Sequence, residues 1–327
     1  MITRQVLALI AVLFLQFYSH DASALNCNIS MPDVAFGAID SLSGNVTDVS
    51  SSIQVDCSEF LFGIVDSTIG VCLYLDEGSG GSDGTTYRNM VQGSDDLPFN
   101  LYKDAARTQI WGSESAFPAA GAQRVVVTLN GVLGLLATGS ATVPVYGRVP
   151  GSISGLPIGP YASTFAGGAR ARYSFNNAIP CDGVNGSQTS DSFLASGTII
   201  ESCAVEADDL DFGAHARLDG SVDGSSQIRL QCSADTAYSV SLGAGGGGDA
   251  GARRMVHGSI PTEQIGYQLY SDASRSQVWG DGSGSTTTVG GTGTGATQSV
   301  SVYGRIPLQA TPRPGDYVDT VIVTVNY

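Results

Sequence analysis

The sequence predicts an all-β chain built from two tandem, homologous domains, and three observations carry that expectation. Short apolar runs alternate with Gly, Ser, Asp and Thr clusters, with 43 glycines in 327 residues and 14% charged residues. This is the composition of sandwiches or barrels. A long segment then repeats: Tyr102-Lys-Asp-Ala-Ala-Arg-Thr-Gln-Ile-Trp-Gly112 matches Tyr270-Ser-Asp-Ala-Ser-Arg-Ser-Gln-Val-Trp-Gly280 at 7 of 11 positions. Shorter landmarks repeat in the same order. Ala35-Phe36-Gly37 and Asp211-Phe212-Gly213 each follow the first cysteine of their unit, and Val145-Tyr-Gly-Arg-Val-Pro150 matches Val302-Tyr-Gly-Arg-Ile-Pro307.

Residues 1–24 read as an export signal. Arg4 supplies the positive start, Val6 to Phe17 is apolar except for Gln16, and Ala22-Ser23-Ala24 offers small residues for cleavage. The apolar run is short for a membrane span, and no later run is longer. The mature chain is thus expected to begin at Leu25 in an oxidising compartment. Six cysteines, an even number, fit that compartment. Cys27 and Cys57 stand 30 residues apart and Cys203 and Cys232 stand 29 apart, the same step in each repeat. The expected bridges are therefore Cys27–Cys57, Cys203–Cys232 and, by remainder, Cys72–Cys181. Other pairings stay open, although the repeat argues against most of them.

The expected division is a first domain at 25–181, a connection at 182–192 and a second domain at 193–327. The connection is rich in Gly, Ser, Asn and Asp. Within each unit, Ile53-Gln-Val-Asp-Cys57 and Ile228-Arg-Leu-Gln-Cys232 alternate as half-buried strands do. Each Tyr-to-Trp segment reads as a hairpin turning at Asp104–Arg107 or Asp272–Arg275. The terminal run from Asp319 to Tyr327 places Val321, Val323, Val325 and Tyr327 on one face. A strand so apolar requires a partner on each edge, or it becomes a template for aggregation. The matching segment of the first domain, Phe165 to Phe175, holds Gly167-Gly168, a bulge or break.

These landmarks resemble the spore coat protein U domain family, which includes subunits of archaic chaperone–usher pili. The second repeat carries the resemblance from Cys203 through Asp208-Asp-Leu-Asp-Phe-Gly213, Arg254-Met255, Trp279-Gly280, Val302-Tyr-Gly-Arg305 and Pro314-Gly-Asp-Tyr317. The first repeat keeps most of them, including Arg88-Asn-Met90, and is looser after Tyr161. The resemblance implies immunoglobulin-like β-sandwiches, the C-terminal one lacking its last strand. A periplasmic chaperone, and then a neighbouring pilin subunit delivered by an outer-membrane usher, would insert that strand. Val321, Val323, Val325 and Tyr327 are the expected groove residues. A mature chain starting at Leu25 has no extended segment to donate, so the expected place is the pilus tip on the cell surface. Residues after Cys181 are expected to close the first domain.

Function is then expected where the repeats differ. Cys57 to Tyr102 spans 45 residues against 38 from Cys232 to Tyr270, and Trp111 to Tyr146 spans 35 against 24 from Trp279 to Tyr303. The added segments are apolar: Phe60, Leu61, Phe62 and Ile64 in one, Val132, Leu133, Leu135 and Leu136 in the other. A third stretch, with Ile153, Leu156 and Ile158, replaces a more polar one. Apolar surface loops mark interaction sites, and the resemblance implies attachment to hydrophobic surfaces, as in biofilm formation. The plainer alternative is that these residues feed the core. A strand count places the first two loops at one pole and the third at the other.

Other chemistries find little support. A formal charge of −15 disfavours nucleic acid. Only His215 and His257 follow the leader, so no catalytic residue, metal site or cofactor is expected. The glycine runs at 245–248 and 290–295 lack the Lys-Ser/Thr ending of a phosphate loop. Asp95-Asp96 and Asp208-Asp209-Leu-Asp211 lack calcium-loop spacing and read as solvated turns. Arg148 and Arg305 recur in both repeats, which points to a structural role. Two rival readings remain: a lectin-like adhesin using Asn, Asp and Trp111, and a structural coat or matrix protein.

Overall fold

A computed structural model describes residues 25–60, 67–114, 121–131, 136–175, 179–181 and 185–327. The expected leader lies outside them. The first domain contains β1 (Asn26–Ser30), β2 (Val34–Ile39), β3 (Thr47–Phe60), β4 (Ser67–Leu75) and β5 (Arg88–Gln92). It continues through β6 (Asp95–Tyr102), β7 (Gln123–Leu129), β8 (Leu136–Val149), β9 (Gly159–Phe175) and β10 (Ser187–Ile199). The second contains β11 (Cys203–Ala207), β12 (Val222–Cys232), β13 (Ala237–Leu242), β14 (Arg253–His257) and β15 (Gln264–Tyr270). β16 (Val289–Thr292), β17 (Thr297–Ile306), β18 (Tyr317–Val318) and β19 (Val323–Asn326) complete it. Among the described residues the helical content is one 3-10 turn at Gly245–Gly247.

In the first domain hydrogen-bonded neighbours run β1-β3-β8-β6-β5-β9-β10-β2, and β4 joins β7 to β9. The two faces of this curled path enclose one core. The second domain forms β11-β12-β17-β15-β14-β18 over β16-β13-β19, around a separate core. Ile53, Val55 and Cys57 point inward from β3, as Ile228, Leu230 and Cys232 do from β12, so both alternating segments are strands.

The disulfides are Cys27–Cys57, Cys203–Cys232 and Cys72–Cys181. The first two join directly opposed residues on β1–β3 and β11–β12. The third ties β4 to the segment leading into β10, and Ile179 packs beside it.

The repeated residues make the same contacts twice. Trp111 and Trp279 are fully buried, and their indole N–H groups donate to the carbonyls of Leu73 and Val240, each at 3.0 Å. Arg88 lies buried beside Trp111 and donates to the carbonyls of Asp76 (2.7 Å), Leu75 (2.7 Å) and Trp111 (2.6 Å) and to Asn100 Oδ1. Arg253 does likewise to Gly243 (2.9 Å), Leu242 (3.0 Å) and Gln268 Oε1 (2.9 Å). Burial pulls the Arg88 guanidinium down to about 10, still charged at neutral pH. These arginines satisfy carbonyls that the sheets leave without strand partners. Arg148 and Arg305 hold Asp48 and Asp223 with paired hydrogen bonds, so both are structural.

Each expected turn is present. Asp104 accepts from the Thr108 and Gln109 amides, Asp272 from those of Ser276 and Gln277. Arg107 and Arg275 both adopt φ 57° there, and each guanidinium lies over a tyrosine ring, Tyr146 or Tyr303.

The boundary at 193 needs correction. β10 runs antiparallel to β9 and parallel to β2, and Phe193, Ala195 and Ile199 are buried in the first core. The first domain therefore extends to about Ile199, because the alternating residues of β10 occupy its core. β9 is continuous through Gly167, where φ is +62° and the pairing with β10 shifts between Asp191 and Phe193. The glycine pair makes a bulge rather than a break.

Replacing Arg88 with Met would strand three buried carbonyls. The first domain should lose on the order of 3–5 kcal/mol, read as a lower urea midpoint at unchanged m-value.

Candidate functional site

The two domains differ most at one sheet edge. In the first, β10 lies between β2 and β9. In the second, the segment equivalent to β2 is Leu210 to Phe212 and the segment equivalent to β9 starts at Tyr317, and no strand lies between them among the described residues. The consequence is visible in the backbone: residues 208–215 form no strand, and the terminal run is a strand only at 317–318 and 323–326. A β segment without a ladder partner has nothing to fix its extended geometry.

An open groove of about 400 Å³ takes the place of the strand. Leu210, Phe212, Ile228, Met255, Tyr267, Val321 and Val323 line it. The first-domain counterparts Val34 and Phe36 are 2% and 5% exposed, whereas Leu210 and Phe212 are only partly buried. β10 makes that difference. Phe193 stacks on Phe165 with centroids 4.2 Å apart, extending an aromatic row through Phe99 and Phe36. In the second domain the row stops at Phe212 and Tyr267, 6.1 Å apart.

The groove floor is more polar than the first core. Tyr267 stands where the first domain has Phe99, and Asp319 where it has Ser163. The Tyr267 hydroxyl donates to Asp319 Oδ2 at 2.7 Å, and the Gly246 amide donates to Oδ1 at 2.7 Å. Burial first, and then that carboxylate, push the Tyr267 phenol well above the usual range.

The expected groove residues divide. Val321 and Val323 line the opening, and Val325 packs on the second core from its β13 pairing. Tyr327 is 56% exposed and stands apart from the groove, because the β13 pairing ends at Asn326. Reading the terminal run as one four-residue face missed this. Leu210, Phe212 and Tyr267 complete the groove without standing out in the sequence, although Phe212 belongs to a repeated motif whose first-domain copy is core.

The apolar insertions of the first domain lie largely outside the described residues. Leu61, Phe62, Ile64, Val132, Leu133 and Leu135 are among these, as is the Phe60 side chain. Their anchors are described. Phe60 pairs with Leu136 across β3–β8, and Ser67 pairs with Leu129 across β4–β7, so both loops leave from the same pole. Leu136 is 59% exposed there.

The third stretch requires correction as an exposed loop. Ile153 is 4% exposed within the first core, and Leu156 and Ile158 pack against it. This segment sits at the opposite pole, where the Ile158 amide donates to the Ala234 carbonyl of the second domain at 3.1 Å. Its apolar side chains pack on the first core, while its backbone meets the second domain at Gly155, Pro157 and Ile158. Ser41 and Ser233 meet there as well, at 3.3 Å. Trp111, a candidate for sugar stacking, is fully buried and offers no face to a ligand.

A family model for the spore coat protein U domain matches residues 14–167 and 189–324. The chain belongs to the spore coat protein U domain family. Protein U of Myxococcus xanthus is 30% identical over 109 residues, a match covering 32% of this chain and 60% of that protein. Among solved structures, similarity extends to a chain of the complex between the chaperone CsuC and the tip adhesion subunit CsuE. That complex is a pre-assembly complex from archaic chaperone–usher Csu pili of Acinetobacter baumannii. The TM-score is 0.53 at 16% identity, covering 92% of this chain and 100% of that one. The overall fold of this chain is thus shared with that solved chain, and within this structure the open edge belongs to the second domain.

If the groove is open, amides at 209–212 and 319–322 should exchange with solvent at least about a hundredfold faster than those at 33–36 and 163–166. Residue-resolved hydrogen exchange reads this directly, and equal protection of the two sets would rule out the open edge.

Proposed function

We propose that this chain is the two-domain adhesive subunit of a chaperone–usher pilus, exported through the periplasm and placed at the pilus tip. The observation that carries the reading is the contrast between the two edges. The first domain closes its sheet with its own β10, whereas the second leaves the same position open. A domain closed in cis needs no neighbour and ends strand exchange on its side. A domain with an open apolar groove requires an inserted strand, first from a periplasmic chaperone and then from the neighbouring pilin subunit. The usher would act between those two steps.

Attachment is assigned to the pole of the first domain that carries the two apolar insertions. The equivalent loops of the second domain, around Ser233–Ala234 and Gly293–Gly295, are short and lie against the first domain, with Ala234 bonded to Ile158. In the first domain the same pole points away from that junction, so its loops have room to lengthen. Each exposed Leu or Phe transferred to an apolar surface contributes roughly 1.5–3 kcal/mol, and many pili per cell multiply a weak hold. This supports adhesion to hydrophobic surfaces, as in biofilm formation, rather than catalysis.

Two experiments test the reading. Val323→Asp places a charge in the groove, so the yield of periplasmic complex with co-expressed chaperone should fall at least about tenfold. An undiminished complex would sink the groove assignment. Changing Leu133 and Leu135 to Ser should leave export and assembly intact and lower attachment to hydrophobic plastic several-fold. Normal attachment by an assembled variant would remove the loops from the mechanism.

A further inference from the structure

The first domain contains, within one chain, an example of what the second domain lacks, and the correspondence between them has no gap. Cys27 aligns with Cys203, and nine residues later Phe36 aligns with Phe212. Asp33-Val-Ala-Phe-Gly37 therefore stands opposite Asp209-Leu-Asp-Phe-Gly213.

In the first domain Asp33 has a specific task. Its Oδ1 accepts the backbone amide of Leu194 on β10 at 2.8 Å. Leu194 lies one residue before the parallel ladder, whose pairing starts at Ala195↔Val34. The carboxylate thus holds the strand at the position where ladder bonding to β2 begins. Fixing this amide also fixes which side chains turn inward. Phe193 then meets Phe165, and Ala195 meets Ser163 and Val34.

We propose that Asp209 sets the register of the strand inserted into the second domain, by accepting one backbone amide of that strand. The occupant is an extended segment running parallel to 209–213 and antiparallel to 317–323, as β10 runs between β2 and β9. This rests on the reading of the groove as a strand acceptor and adds how the acceptor chooses its alignment. Asp209 is exposed and lies on the groove lining. Its neighbour Asp208 is engaged by Arg229, with a 2.8 Å hydrogen bond from Nη1 to Oδ2. Of this acidic pair, Asp209 is the one at the position of Asp33.

Register matters because side chains alternate between faces. A slip of one residue would turn every apolar group of the inserted strand outward. The apolar walls penalise such a slip but not a shift by two, which keeps the same face inward. A fixed acceptor for a single amide distinguishes these alternatives. With the Asp209 alignment, the residue before the captured amide faces Val321, and the residue after it faces Leu210 and Asp319. Val321 is smaller than its counterpart Phe165, and Asp319 is larger than Ser163. The strand is therefore expected to carry its bulkier residue first and a small one second.

The test uses the full chain extended beyond Tyr327 by a flexible Gly-Ser linker and a copy of residues 187–199. Residue-resolved amide exchange then follows each amide of the appended strand. With Asp209 present, the appended amide equivalent to Leu194 should be protected together with the rest of the strand. In Asp209→Ala that amide should exchange roughly tenfold faster, the loss expected for a hydrogen bond to a charged acceptor, or the whole protection pattern should shift by two residues. Asp209→Asn keeps an acceptor oxygen and should restore part of the protection. Asp33→Ala should expose the native Leu194 amide in the same molecule, which controls for the method. Unchanged protection in Asp209→Ala would overturn the register role while leaving the groove intact. An appended strand with no protected amide in any variant would overturn the groove reading itself, and the register role with it.

Discussion

A strand inside a sheet needs a hydrogen-bonding neighbour on each side, and this requirement organises both halves of the molecule. Where the neighbour exists, between β2 and β9, both flanks form ladders with it and the aromatic row from Phe36 to Phe193 is closed. Where it does not, the same kind of sequence loses its ladder and Leu210 and Phe212 stay half covered. The two domains share a scaffold, and they diverge through the fate of one strand. The buried Arg88 and Arg253 show how the rest of the scaffold tolerates this. Each satisfies carbonyls from the chain beside a tryptophan with a rigid guanidinium, independently of the missing strand.

The packing of the domains on one another explains the unequal loops. Both domains present the β3–β4 and β7–β8 type connections, or their β12–β13 and β16–β17 equivalents, at one pole. In the second domain that pole is covered by the first, and Gly295 comes so close to Gly155 that an added Cβ would lie 2.4 Å from its amide nitrogen. Long insertions there would push the domains apart. In the first domain no such contact is made at the corresponding pole among the described residues, and there the chain carries its apolar insertions. The stretch from Gly151 to Ile158 touches the second domain through its backbone and packs its apolar side chains on the first core, which accounts for its apolar character without any exposed role.

The polar pair in the groove adds a second contrast. The first core buries Phe99 and Ser163 at the matching positions, whereas the second pairs Tyr267 with Asp319 at the floor of an open channel. A hydrogen-bonded polar floor is better tolerated while water has access than a fully apolar one. It also remains satisfied when a strand covers it, because the Tyr267 hydroxyl and the Gly246 amide both stay on Asp319.

The sequence by itself determined the duplication, the strand character of both units and the two repeated bridges, Cys27–Cys57 and Cys203–Cys232, because these rest on local periodicity and on spacing repeated in one chain; Cys72–Cys181, which has no counterpart in the second unit, was settled by the fold that brings the two together. The turns at Asp104 and Asp272 were equally legible, since an Asp carboxylate caps its own turn. Tertiary structure decided everything that depends on which residues meet across the fold. It assigned 193–199 to the first core, because a strand belongs to the sheet that pairs it and not to the neighbouring segment of chain. It moved Ile153, Leu156 and Ile158 from an expected surface loop onto the first core, and it buried Trp111, since an apolar side chain looks the same in sequence whether it faces water or protein. It also separated Val321 and Val323, which line a groove, from Tyr327, which shares their alternation but lies past the last paired residue.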